Sequence, residues 1–154
     1  MKSRYSGYIL VSLIASFSIV YVLLLVIEFN ISFETIDIGY ICAHRERRDY
    51  VIQTQQEWDD LCSSSDAPGI DFSSNIVLAV YMGERFTGGY HIEITNISES
   101  VFYIRVYIRE TSPSPDQLVT MALTQPHHIV KLNRIPKIIV FIHTSEVHST
   151  YWGY

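Results

Sequence analysis

"GYHIEITNISESVFYIRVYIR", residues 89–109, decides the fold. In its second half Phe102, Ile104, Val106 and Ile108 share one face, while Tyr103, Arg105, Tyr107 and Arg109 share the other, because successive strand side chains point to opposite sides. The first half repeats the alternation, with Tyr90, Ile92 and Ile94 opposed to His91, Glu93 and Thr95. One apolar and one polar face describe a half-buried antiparallel strand. Two such strands separated by "SES" predict a hairpin.

Outward from this pair, "NIVLAVYMG" (75–83) and "KIIVFIH" (137–143) are unbroken apolar runs of strand length, rich in β-branched residues. Such runs predict central strands covered on both faces. Weaker strands are expected at 33–42, 49–52, 118–123 and 128–132. One helix is predicted: Thr54 followed by Glu57 forms a capping box, and "QQEWDDLC" sets Trp58, Leu61 and Cys62 on one side. All five prolines fall in turn segments. The fold class expected is mainly β, an antiparallel sheet or sandwich-like domain with one short helix.

The N-terminus reads differently. Residues 5–27 carry no charge and include "IVYVLLLVI"; a helix of that length spans roughly 35 Å against about 30 Å of hydrocarbon. With no small-x-small cleavage site at the exit "EFNISFE", a single uncleaved transmembrane helix is expected, with the lipid bilayer as partner through residues 5–27. Lys2 and Arg4 precede it, and Glu28, Glu34 and Asp37 follow. That flank bias places the N-terminus in the cytoplasm and the domain outside, although Arg45, Arg47 and Arg48, interleaved with Glu46 and Asp49, stand at the outer limit of the rule. The division expected is 1–29 for the cytoplasmic tip and membrane helix, 30–146 for the β domain and 147–154 for a tail.

The formal charge of −5 becomes −7 for residues 28–154 once Lys2 and Arg4 are set aside. A mildly acidic domain without a lysine-rich stripe argues against nucleic acid as a partner. Cys42 and Cys62 are either a disulfide, expected to stabilise by about 3 kcal/mol in an oxidising compartment, or two small buried hydrophobes. Adjacent His127 and His128 point to opposite faces of a strand, and His143 and His148 lack helical metal-ligand spacing, so the histidines read as surface or strand residues. No metal or cofactor set, nucleophile elbow or enzyme motif is legible. "NIS" at Asn30 and Asn96 supplies two candidate N-glycosylation acceptors.

"GERFTGGY", residues 83–90, remains. It has no phosphate-loop ending and is followed by a strand, so a phosphate cradle is excluded. Its glycines suit a structural turn, while Arg85 and Phe86, with Thr87, Gly88 and Gly89, suit a tip presented to a partner.

The chain resembles the C-terminal domain family of the protease-complex subunit PrcB. The resemblance rests on "QEW" at 56–58, "IDFSS" at 70–74, "GERFTGGYHIEI" at 83–94 and "SPSPDQLVTMALTQPHHIVKL" at 112–132, and covers roughly 33–143. It implies an extracytoplasmic accessory module associated with proteases, and no catalytic residues to carry over. Cys62 departs from the family pattern, which favours a bridge to Cys42. "TGGY" at 87–90 is also similar to the Thr-Thr-Gly-Tyr loop of chagasin-type inhibitors of cysteine proteases, without recognisable companion loops. The functional expectation is a membrane-anchored, non-enzymatic module that binds a protein, a protease being the favoured class; the alternative is a sensor domain for a small ligand or envelope glycan.

Overall fold

The computed structural model describes residues 2–42, 44–61 and 69–147. Two four-stranded sheets face each other. Sheet A has the order β1-β5-β6-β8, from β1 (Phe29–Asn30), β5 (His91–Glu99), β6 (Tyr103–Ser112) and β8 (Ile138–Val147). Sheet B has the order β2-β7-β4-β3, from β2 (Glu34–Gly39), β7 (His127–Asn133), β4 (Asn75–Tyr81) and β3 (Arg48–Ile52).

The hairpin expected at 89–109 forms as β5 and β6, with Ile94 opposite Ile108. A register shift between Ile94 and Asn96 reverses the phase of β5. Ile92, Ile94 and Ile97 therefore all point inward, and Asn96 turns out. These side chains meet Ile104, Val106 and Ile108 from β6, and Leu78, Val80, Val130 and Leu132 from sheet B, in the inter-sheet core.

A second apolar layer lies on the far side of sheet B. Helix α2 (Gln55–Leu61) lays Trp58 and Leu61 on Val77, Ala79, Tyr81 and Ile129, which is why β4 reads as a continuous apolar run. Its capping box is formed: the Glu57 N–H donates to Thr54 Oγ1 at 3.2 Å, and the Thr54 N–H donates to Glu57 Oε2 at 3.2 Å.

Four expectations are corrected. Strand β8 is not central: it is the edge of sheet A, parallel to β6, with Ile138 and Val140 exposed. Only Ile139 and Phe141 turn toward the core. Residues 118–123 are not a strand; that segment is irregular and carries a single bridge at Thr124. Strand β1 was not expected from the sequence at all.

The fourth correction concerns the N-terminus. A helix α1 does form over Lys2–Val26, but among the described residues no helix is long and apolar enough to cross a membrane. The transmembrane helix expected before the β domain is therefore not supported. Its described side chains include Ser12, Ser16 and Ser18. Among the described residues the chain is mainly β with two helices. Glu28, just past α1, is anchored to the outer face of sheet A, pairing with Arg105 and accepting from Ser98 Oγ at 2.6 Å.

Polar groups also join the sheets. His128, buried on β7, accepts at Nδ1 from the Ile94 N–H at 2.9 Å. The ring proton is thereby placed on Nε2, which donates to Thr35 Oγ1 at 3.0 Å. The bond to Ile94 is made at the β5 bulge, where the ladder leaves that N–H free. At the open side, His143 of β8 lies between Glu110 of β6, at 2.6 Å, and Asp49 of β3, at 2.8 Å. Arg47 donates to the same buried Glu110 at 2.6 Å.

Burial holds the His128 pKa below its usual 6.5. For such a group the unfolded chain takes up the proton first. Its contribution is fully present above about pH 6.5 and is lost as pH falls from there toward the lower folded value. Urea denaturation of the wild type and His128→Gln across pH 5 to 8 should show the largest stability advantage for the wild type above pH 6.5, shrinking as the pH falls. His128→Ala, which leaves the Ile94 N–H buried without a partner, should cost about 1–3 kcal/mol at pH 7.5.

Candidate functional site

Antiparallel pairing sets three connections at one end of the sandwich. Gly39, Tyr81 and Arg48, at the ends of β2, β4 and β3, align with one another through His127 at the start of β7. His91, opening β5, lies opposite Thr111 near the end of β6. Residues 40–42 with 44–47, and segments 82–90 and 113–126, therefore emerge side by side.

The second and third segments are zipped together by backbone bonds. The Arg85 N–H donates to Thr124 O at 2.8 Å and the Thr124 N–H returns to Arg85 O at 2.9 Å. The Gly88 N–H donates to Thr120 O at 2.9 Å, and Thr124 Oγ1 donates to Thr87 O at 2.9 Å. Gly89 has φ +88°, and a Cβ there would stand 3.0 Å from Pro113 Cβ and 3.1 Å from Val119 Cγ1. Gly83 also has positive φ, and a Cβ on it would press on the backbone of residues 45–47. Both glycines are required by conformation and by space.

Gln125 joins the first segment to the other two. Its N–H donates to Tyr40 O at 2.7 Å, its Oε1 accepts from the Cys42 N–H at 3.1 Å, and its Nε2 donates to Glu84 Oε2 at 3.4 Å. Glu84 in turn pairs with Arg45 at 3.5 Å. The Glu84 N–H adds a second link, donating to Arg45 O at 2.9 Å.

Of the loop side chains expected from sequence, that of Phe86 stands out into solvent, 79% exposed. Arg85 does not: its guanidinium lies over the Tyr90 ring, 5.3 Å from the centroid, and its Nε is buried without a partner. Thr87 is half-buried, Gly88 is buried and Gly89 is exposed. Tyr90 packs on the inter-sheet core, as its alternation with Ile92 and Ile94 predicts.

The residues that join Phe86 come from the segment misread as a strand. Leu118 is 100% and Met121 88% exposed, with Leu123 also in solvent. The expectation of a weak strand at 118–123 hid this. Its turn signal "SPSPD" and the single bridge at Thr124 make it instead a long loop laid on the glycine loop. Together they form an apolar tip on a rigid base, the arrangement favoured at protein-binding hot spots.

Beside the tip is an open cavity of about 670 Å³ walled by Tyr40, Tyr90, His91, Glu93 and Arg109. Arg109 and Glu93 neutralise each other at 2.9 Å, and the Tyr40 hydroxyl is 3.3 Å from His91 Nδ1. Its walls combine aromatic side chains with charges of both signs.

The remaining sequence candidates lie elsewhere. Asn30 and Asn96 are brought together on sheet A, Asn96 Nδ2 donating to Asn30 Oδ1 at 3.2 Å. Cys42 carries a free thiol at the loop end, and Cys62 lies outside the described residues, as does His148. His127 and His128 do point to opposite faces, but both are buried and not on the surface.

A family model described as PrcB C-terminal matches residues 76–133. The match runs from β4 through β7 and so includes both zipped loops, a narrower span than the 33–143 suggested by the motifs. No curated protein and no solved structure matches the chain.

The zipped geometry separates scaffold from contact surface. Gly89→Val should lower unfolding free energy by about 2 kcal/mol or more, from strain at positive φ together with the collision with Pro113 and Val119. Phe86→Ala should stay within about 0.5 kcal/mol of wild type in the same urea titration.

Proposed function

We propose that this domain is a protein-binding accessory module whose three-loop end docks into a groove on a protease or protease complex. The observation that carries the reading is the apolar tip itself. Phe86, Leu118 and Met121 stand in solvent on loops that are hydrogen-bonded to each other and held by required glycines. Presenting large apolar side chains to water is unfavourable, by about 25 cal/mol per Å², and a rigid base lowers the ordering cost of binding. The PrcB C-terminal match spans the tip-forming segment and supports the protease-associated class of partner. The single Thr-Gly-Gly-Tyr block has companion loops at the same end of the sandwich, which fits insertion into a cleft.

The open cavity walled by Tyr40, His91, Glu93 and Arg109 favours a second reading, a small polar ligand bound beside the tip. The size falls in the range of ligand sites, roughly 300–1,000 Å³, and aromatic and charged side chains share its walls.

The test uses the full chain immobilised at equal density as wild type and as Phe86→Ala/Leu118→Ala. Detergent-solubilised extract of the source cells is passed over both, and protease activity in the eluates is measured on casein. The wild type should retain activity and the double variant at least tenfold less, a loss of about 1.4 kcal/mol or more in binding, with unchanged thermal unfolding. Equal retention, or none on the wild type, would sink the protease reading.

A further inference from the structure

The strand register composes the surface of sheet A beside the three loops. His91 of β5 lies opposite Thr111 of β6, and Thr111 lies beside Glu146 of β8. The neighbouring outward pair on β5 and β6 is Glu93 opposite Arg109. Ile92, Ile94 and Ile108 take the inward positions of these strands. His91, Glu93, Arg109, Thr111 and Glu146 therefore share the outer face. With Tyr40 from the first loop and Tyr90 from the end of the glycine loop, they wall the cavity of about 670 Å³.

The charges in that cavity are unequal. Glu93 and Glu146 bring two carboxylates, and Arg109 brings one guanidinium. Arg109 is already engaged, donating to Glu93 Oε2 at 2.9 Å. His91 stands 4.0 Å from the same carboxylate through Nε2, with Nδ1 3.3 Å from the Tyr40 hydroxyl. Among the described residues Glu146 has no cationic partner. An anion entering here would have to displace Glu93 from Arg109 and would then face Glu146. A cation meets a free carboxylate at once, beside two tyrosine rings whose faces attract positive charge. Tyr90 already makes such a contact, with the Arg85 guanidinium 5.3 Å from its ring centroid.

The cavity also adjoins the tip. Gln117, on its wall, immediately precedes Leu118, and Gly89, also on its wall, belongs to the loop that carries Phe86. A protein seated on Phe86 and Leu118 thus reaches the cavity with one long side chain. We propose that the cavity receives a guanidinium or ammonium group, an arginine or lysine side chain of the docked protein, with Glu146 as its counter-ion and Tyr40 and Tyr90 beside its stem. The source of the cation rests on the protein-docking reading; the chemistry of the cavity does not. Positive charge is accordingly expected at the border of the partner's groove.

The test has two arms. In the first, the full chain is titrated with N-acetyl-arginine methylamide and with its neutral isostere N-acetyl-citrulline methylamide, followed by the backbone amide signals of His91, Thr111 and Gln117. At low salt the arginine probe should shift these signals saturably and bind about fivefold more tightly than the citrulline probe. Glu146→Gln should bring the two probes to within about twofold, with unchanged thermal unfolding. Absence of a saturable shift, equal affinity for the two probes, or wild-type affinity in Glu146→Gln would overturn the proposal. In the second arm, Glu146→Lys takes the place of the tip variant in the casein-activity capture, and retention should fall about fivefold. Arginine-specific binding with undiminished capture by Glu146→Lys would assign the cavity to a free cationic solute and overturn the partner as the source. No capture on the wild type would remove the docking reading and that source with it, while the first arm alone decides the chemistry of the cavity.

Discussion

The covering of sheet B on both faces is the constraint from which the rest of the structure follows. Strands β4 and β7 carry apolar side chains on alternate faces, Leu78 and Val130 into the inter-sheet core, Val77 and Ile129 under α2. A strand buried on both sides leaves its backbone no access to water, so its ladder must be complete, and the β4–β7 register runs unbroken from Asn75 opposite Asn133 to Tyr81 opposite His127. That unbroken register squares off one end of the sheet. Loops leaving it have a common floor, and the functional end is built on that floor.

Within so dry a frame, several buried polar side chains are held by paired partners. His128 answers the one inward N–H that the β5 bulge frees from its ladder. Glu110, buried on β6, is met by both Arg47 and His143, and these bonds close the side of the sandwich between β3 and β8. His127 serves the outer face of sheet B in the same way, between Asp37 and Gln125. Losing any one partner would leave a buried donor or acceptor uncompensated, a larger penalty than the net worth of the bond itself.

Rigidity at the loop end has a similar origin. The glycine loop holds its shape through reciprocal backbone bonds to Thr124 and Thr120 and through two positive-φ glycines that fit where a side chain does not. Apolar residues on such a base are neither buried by the fold nor free to collapse onto it, which is what distinguishes a contact surface from a frayed turn. Phe86 and Leu118 acquire meaning only because separate loops set them at the same end.

The alternation in 89–109 determined the β5–β6 hairpin, and Thr54 with Glu57 determined where α2 begins, because both signals are read from neighbours a few residues apart. The double-faced burial of β4 was legible for the same reason, as was the need for glycine after Phe86. What the sequence could not carry was which strand lies beside which. An apolar run looks the same at the centre of a sheet and at an edge, so β8 was read as central, and 118–123, apolar except at Thr120, was read as a weak strand. The partnership of Arg85 with Tyr90, of Cys42 with Gln125, and of His143 with Asp49 and Glu110 joins residues up to 94 positions apart. Such contacts depend on strand order and register, which long-range packing selects, and only the tertiary structure decided them.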